Sequence, residues 1–355
     1  MARKRIPTGL CGILAVDKPR GMTSHDVVNT LRRLTKERRI GHAGTLDPLA
    51  TGLLLVCVGP ATRLASFLMS GSKVYEARIC FGTATTTDDG EGEIIRSCEV
   101  SGEVADADFA ARYLAELGLP ASVLQLPPAY SAIKRDGVTS YKAARAGEAL
   151  ELEPREVELT GARLLECGHD YWCVRLMTSK GFYVRSFARD TGDALGTAAH
   201  LGALRRMASG SVRVEQACTL DSLEEGEPLP FIDPVAALGL PVLRIDAVQA
   251  ERVKNGRALT LVAAEFASLE QGSGAAAENG VVLPPAALQP ETVTPAALQP
   301  RCLMSVVHEQ TLLALYERVG STGFAHPRVV IPGGVRIGYN TETANKGAGD
   351  VRRNL

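Results

Sequence analysis

The sequence predicts an α+β fold in two domains, and three observations point to it. The chain has 355 residues, of which 45% are hydrophobic, 22% charged and 5% aromatic. That is an ordinary globular composition, long enough for two domains. Up to about residue 215, short apolar strand-like runs are interspersed with stripes at helical spacing. Beyond Asp221 the composition shifts: residues 264–300 hold no Lys or Arg, and PAALQP occurs at 285–290 and again at 295–300. The boundaries are therefore set at 1–240 and 241–340, with a tail at 341–355. The 264–300 tract cannot bury enough apolar surface to order itself and reads as a disordered insertion. Short β-like pieces flank it, VLRIDA and RALTLVA before, CLMSVV and TLLALYERV after. They make the second domain small and β-rich.

The elements follow in order. LCGILAV (10–16) predicts a buried strand, and Ser24 can cap a helix reaching about Arg33. RLTKERRIGHAGTLDP is then a long polar connection. LLLVCV (53–58), bounded by Gly52 and Gly59, predicts a core strand. Thr62 starts a helix over RLASFLM. Residues 73–82 alternate as a strand, and TATTTDDGEG is a turn-rich loop. Residues 106–118 have helical spacing, with Gly118 as the stop. The 122–150 stretch mixes Pro, Tyr and basic residues and reads as an excursion from the core. Residues 155–166 and 171–178 form a candidate hairpin across Cys-Gly-His. VRSFARDTGDALG carries a helical stripe ending at Gly196, and AHLGALRRMASG reads as a second helical piece.

Bulk properties exclude several classes. No apolar run approaches the ~18 residues of a membrane helix. The basic N-terminus has too short an apolar piece for a signal peptide, which predicts a cytoplasmic protein. The eight cysteines (11, 57, 80, 98, 167, 173, 218 and 302) form no CxxC pair. They predict reduced, partly buried thiols rather than zinc ligands or disulfides. Residues 1–40 carry ten Lys and Arg against three Asp and Glu; residues 221–300 carry four against eleven. The basic head suits phosphate contacts, and equally a solvated tail.

Three constellations could carry chemistry. In GHAGTLDPLATG, Gly41, Gly44 and Gly52 permit tight backbone, Pro48 fixes φ, and Thr45 and Thr51 can hydrogen-bond locally. Asp47 there is either the cap of the turn or helix begun by Pro48 or a rigidly held nucleophile. His42, Arg38 and Arg39 lie just upstream, and a carboxylate of pKa about 4 needs no separate base. In SKGFYVRSFARD, Arg185 stands at a helix start, a poor site for a cation. It is either a surface arginine beside a core aromatic pair or the partner of a carboxylate. In SKVYEARICFG, Tyr75 is either half-buried core or a ring that stacks on a base.

Together these residues resemble the TruB family of tRNA pseudouridine synthases. VDKPRGMTSHDVV, GHAGTLDPLATGLLLVCVGPATRL, KVYEARICFGTATTTDDGEG, QLPPAYSAIKRDGVTSYKAARAG, TSKGFYVRSFARDTGDALG and HLGALRRMASG follow in family order. The resemblance implies a pseudouridine synthase catalytic domain around a long, mostly antiparallel mixed sheet crossed by the active cleft. It implies an RNA-gripping insertion at 122–150 and a PUA-like RNA-binding domain from about 241, split by the 264–300 insertion. The implied reaction isomerises uridine 55 in the T loop of tRNA, without metal or organic cofactor. Asp47 matches the nucleophile, which attacks uracil C6 or ribose C1′, and Arg185 its partner. Tyr183 matches a proton acceptor or relay near C5, Tyr75 the stacking tyrosine and Leu204 an apolar wall of the pocket. His42 matches the residue that fills the gap left by the flipped base. Lys18 and Pro19 belong to the first, supportive motif, and Lys18 and Arg63 join the substrate-binding set. The implied partner is the tRNA T-arm stem-loop, bound by a monomer, with no membrane. One departure stands out: Thr86 occupies the first of two loop positions where the family has aspartate, while Asp89 matches the second.

The alternative is a catalytically inactive tRNA-binding or folding module of the same fold. It needs Asp47, Tyr75 or Arg185 replaced, and all three are present. A small-molecule hydrolase with an aspartate nucleophile is disfavoured by the basic head. Deleting 264–300 is expected to leave the melting temperature nearly unchanged by circular dichroism; a large drop would show that the tract is ordered.

Overall fold

The computed structural model describes residues 8–131, 152–261, 301–319 and 323–338, together with 134–135, 138–140, 143, 146 and 150. The 264–300 insertion, the 341–355 tail and much of the 122–150 excursion lie outside the described residues.

In chain order the first domain runs β1 (Gly12–Lys18), α1 (Ser24–Thr35), β2 (Ile40–His42), β3 (Thr51–Val58), α2 (Ala65–Met69) and β4 (Lys73–Phe81). A small hairpin, β5 (Thr83–Thr85) and β6 (Ile94–Ser97), precedes α3 (Ala107–Ala115) and β7 (Ala121–Gln125). The two-residue strands β8 (Lys134–Arg135) and β9 (Val138–Thr139) follow, then β10 (Arg155–Cys167), β11 (Tyr171–Thr178), α4 (Val184–Ala194) and β12 (Ala199–Ser209). β13 (Val212–Arg213), α5 (Leu220–Glu224), β14 (Phe231–Ile232) and α6 (Pro234–Leu238) complete it.

A ten-stranded sheet has the order β14-β1-β3-β12-β4-β11-β10-β7, with β2 on β3 and β13 on β12. Every pairing is antiparallel except β12 with β3. The expected mostly antiparallel mixed sheet is therefore present. β3 is the apolar run LLLVCV, buried on both faces, as a central strand must be.

Several local expectations change. α1 is capped by Thr23, not Ser24: Thr23 is extended and forms a reciprocal capping box with Asp26. The Ser24 hydroxyl is free to reach the 46 turn instead. The polar connection after α1 contains β2, paired along β3. α2 starts at Ala65 because Thr62 Oγ1 closes a 3₁₀ turn on the Gly59 carbonyl at 2.8 Å.

AHLGALRRMASG is not a helix. It is β12, lodged between parallel β3 and antiparallel β4. Its Ala, Leu, Arg and Met residues favour helix in isolation. Register shifts at Leu201/Ala203 and Arg206/Ala208 also break the two-residue alternation that marks a strand. Two waiting strand edges override the local preference.

The C-terminal portion is a five-stranded sheet of order β15-β17-β18-β19-β16. Its strands are β15 (Val242–Arg244), β16 (Leu259–Thr260), β17 (Arg301–His308), β18 (Thr311–Val319) and β19 (Phe324–Arg336), with α7 (Ala247–Lys254) between the first two. Leu312, Leu315, Ile331 and Val335 share one core with Ile13, Leu53, Leu55 and Cys57 of the large sheet. All eight cysteines are free thiols. No described helix is long and apolar enough to cross a membrane.

β3 meets β12 at a point that admits only glycine. Gly52 has φ +97°, and a Cβ there would lie 2.4 Å from the Arg206 carbonyl oxygen. Gly52→Ala is expected to cost about 2 kcal/mol or more, measured by urea unfolding.

Candidate active site

The turn between β2 and β3 carries Asp47. No helix begins at Pro48, so the helix form of the cap reading falls; a turn does follow, closed by the Ala50 amide donating to the Asp47 carbonyl at 3.1 Å, and the chain then enters β3. Nor do Thr45 and Thr51 stiffen the turn locally: Thr51 Oγ1 reaches the distant Leu204 carbonyl at 3.4 Å. Three buried side chains do that work. Arg206 donates to the carbonyls of Gly44 at 3.1 Å, Thr45 at 3.4 Å and Leu53 at 2.7 Å. Ser24 Oγ donates to Leu46 O at 3.0 Å and accepts from Leu46 N at 2.8 Å. Lys18 Nζ donates to the carbonyls of Met22 at 2.7 Å, Pro19 at 2.8 Å and Pro48 at 3.5 Å. Gly44, at φ +107°, lets the chain turn so that these carbonyls converge.

Opposite the turn, α4 presents Arg185 one residue into the helix, after Val184 and with Tyr183 as the cap. Its Nε lies 3.1 Å from Asp47 Oδ2, and its Nη1 3.5 Å from Asp89 Oδ2. Nη1 also donates to Thr87 O at 3.1 Å, and Nη2 to Tyr130 O at 2.8 Å. Only 6% of the side chain is exposed. The unfavourable helix position is thus offset by two carboxylates and two carbonyls. Asp89 is itself oriented by Thr87 Oγ1 at 2.6 Å and the Glu91 amide at 3.1 Å. Thr86, at the position where aspartate was expected, accepts from the Glu93 amide at 3.2 Å and closes its own loop.

Between turn and helix lies a cleft of about 670 Å³, within the range of small-molecule sites. Asp47, Tyr75, Tyr183, Arg185 and Leu204 all line it, with Phe182, Val157 and Val184 adding apolar wall. The Asp47 side chain keeps 39% exposure. Burial nevertheless pushes its carboxyl above the usual range, opposed by Arg185 and reinforced by Asp89. Burial also raises the Tyr183 phenol. Lys73, another lining residue, is lowered to about 8 by burial. Among the described residues no cluster of His, Cys, Asp and Glu is arranged to hold a metal.

Three expected residues fall outside the lining. His42 is half-buried on β2, and its Nδ1 is buried without a hydrogen-bond partner among the described residues. Burial lowers its pKa, as does the Arg206 charge. Lys18 is fully buried under the Asp47 turn, where its ammonium is taken up by three carbonyls rather than turned to the cleft. Arg63 points away, donating to Val330 O of β19 at 2.7 Å, and so ties the two sheets together. Sequence reasoning missed Ser24 and Arg206. Arg206 sat in a stretch misread as helix, so its inward direction was invisible.

Because burial raises the Asp47 pKa in the folded chain, ionising it opposes folding above that pKa. The penalty vanishes below the unfolded value of about 3.9. Asp47→Asn is expected to melt above the parent at pH 7, the margin closing as pH falls below about 4, read by calorimetry.

Comparison with known proteins identifies the family. Residues 32–184 match the model of the TruB family pseudouridylate synthase N-terminal domain. Residues 185–227 match that of the tRNA pseudouridylate synthase B C-terminal domain. The chain is 46% identical over 259 residues to a tRNA pseudouridine synthase B of Thermobifida fusca, covering 70% of this chain and 86% of that one. It is 40% identical over 276 residues to one of Burkholderia lata, covering 76% and 84%. A solved Cbf5-Nop10-Gar1 complex contains a chain that superposes with a TM-score of 0.58 at 21% identity, over 93% of this chain and 84% of that chain; it attests to the fold. With a cleft built around Asp47 and Arg185 and identity of this extent, the chain belongs to the TruB family of pseudouridylate synthases.

Proposed function

We propose that this chain is a tRNA pseudouridine synthase that isomerises uridine 55 of the T loop, with Asp47 as nucleophile. The observation that carries the reading is the Asp47–Arg185 pair, 3.1 Å apart at the wall of a cleft also lined by Tyr75, Tyr183 and Leu204.

The chemistry needs no added atoms. The N1–C1′ glycosidic bond breaks, a C5–C1′ bond forms, C5 loses a proton and N1 gains one. A uracil stacked within a loop is out of reach, so it must be everted at a cost of a few kcal/mol. Tyr75 offers a ring for the everted base, and His42 a ring for the gap it leaves; stacking of this kind is worth about 1–3 kcal/mol. The ionised Asp47 oxygen attacks uracil C6 or ribose C1′, the N1–C1′ bond breaks, and the bond to Asp47 breaks in turn once C5 has bonded C1′, which returns the free carboxylate. Leu204 and Phe182 hold the freed uracil while it rotates, since apolar walls confine it without fixing its orientation. Tyr183, its phenol raised by burial, relays the C5 proton through its hydroxyl in this reading. Arg185 keeps the carboxylate charged in a site whose burial favours the acid.

The partner is the T-arm stem-loop. It is gripped by the 122–150 segment and by the C-terminal sheet, acting as a PUA-like RNA-binding domain, in a monomer. Residues 1–240 form the catalytic domain and 241–340 the second one.

Asp47→Asn is expected to abolish pseudouridine formation, read by carbodiimide mapping of T-arm transcripts, with tRNA affinity kept within about tenfold. Substantial turnover by this variant removes Asp47 as nucleophile. In the parent, single-turnover rate is expected to fall in acid as Asp47 protonates. The midpoint should lie above the ordinary carboxylate value of about 3.9. A midpoint at or below that value contradicts the buried nucleophile.

A further inference from the structure

We propose that Gln125 is a positioning residue for this reaction. Its buried carboxamide clamps the main chain of Tyr183 and so holds Tyr183 and Arg185 in register with Asp47. The proposal rests on the reading of Asp47 and Arg185 as the reacting pair.

Gln125 ends β7, the outermost strand of the large sheet. Along β7 the faces alternate: Leu124 is 72% exposed, whereas Gln125 is 1% exposed. An edge strand has no packing need for a buried amide; an apolar side chain fills the same space without polar groups to satisfy. The carboxamide is satisfied from one residue. The Tyr183 amide donates to Gln125 Oε1 at 2.9 Å, and Gln125 Nε2 donates to the Tyr183 carbonyl at 3.2 Å. This is the two-bond pattern of one peptide paired with another, supplied by a side chain.

Its location gives the clamp a consequence. Tyr183 is the extended cap of α4, at φ −102° and ψ 110°, with no side-chain cap of its own. Its carbonyl also accepts the Phe187 amide at 3.1 Å, the opening bond of the helix. Holding both main-chain groups of residue 183 fixes the direction in which α4 leaves the cleft wall. That direction aims the Tyr183 ring into the cleft and, two residues on, the Arg185 guanidinium at Asp47.

Neighbouring bonds stitch the same two segments. Ser186 Oγ donates to Leu126 O at 2.8 Å, Arg189 Nη2 to Leu126 O at 3.0 Å and Arg185 Nη2 to Tyr130 O at 2.8 Å. Those hold side chains of α4; Gln125 holds the backbone from which they spring.

The test uses Gln125→Met, which keeps the length and removes both bonds, and Gln125→Glu, which keeps the acceptor and loses the donor when ionised. Single-turnover pseudouridine formation on T-arm transcripts is expected to fall about hundredfold for Met and about tenfold for Glu, with tRNA Kd within about threefold for both. Unchanged rates, or a loss appearing in Kd rather than in rate, overturn the proposal. The unmutated protein supplies an independent measurement. Its Tyr183 amide is expected to exchange with solvent at least about a hundredfold more slowly than an unstructured amide. Unprotected exchange sinks the clamp even if neither variant folds. Asp47→Asn run alongside separates the failures: an active Asp47→Asn defeats the functional reading, whereas a dead Asp47→Asn beside fully active Gln125 variants defeats only the clamp.

Discussion

The ion pair between Asp47 and Arg185 is the constraint around which the molecule is arranged. A carboxyl recessed in a cleft tends to take up a proton, and burial drives Asp47 that way. The guanidinium opposes it, but a guanidinium that is itself 94% covered must have its N–H groups filled or it costs several kcal/mol. Arg185 meets Asp47, Asp89, Thr87 O and Tyr130 O. Those partners come from three stretches of chain that only the finished sheet brings together. The charge of Asp47 is thus a property of the whole fold rather than of its motif.

The turn that carries Asp47 obeys a similar logic. Its carbonyls point inward, and Lys18, Ser24 and Arg206 answer them from β1, α1 and β12. All three are buried. For Lys18, burial lowers the ammonium to about 8, yet three carbonyls compensate for lost hydration. Networks of this sort are stable when every member is satisfied and costly when one is missing. They make the turn rigid, and they explain why its neighbours carry buried charge where apolar residues would otherwise pack.

β12 joins these two systems. It contributes Arg206 to the turn and Leu204 to the cleft wall, and it makes the parallel strand pairing seen among the described strands of the large sheet. The C-terminal sheet shares a core with β1 and β3 and is tied on by Arg63 and by the Cys11 thiol on Gly334 O at 3.4 Å. The second sheet is therefore seated against the scaffold of the site.

The sequence by itself determined most strands, the helices α1, α3 and α4, the free thiols and the residues that meet in the cleft. Each of these rests on local information: apolar period, glycine and proline punctuation, or a motif whose members are close in sequence. Asp47, Tyr75, Tyr183 and Arg185 were legible within their motifs, whereas Leu204 came only from the family resemblance, its stretch having helical propensity. Only the tertiary structure decided that AHLGALRRMASG is a strand, because the two edges that capture it lie more than a hundred residues upstream. Only the tertiary structure turned Arg206 and Ser24 inward, sent Arg63 to β19 and buried Lys18. A side chain's direction depends on which partner waits across the fold, and a linear string of residues does not record that partner.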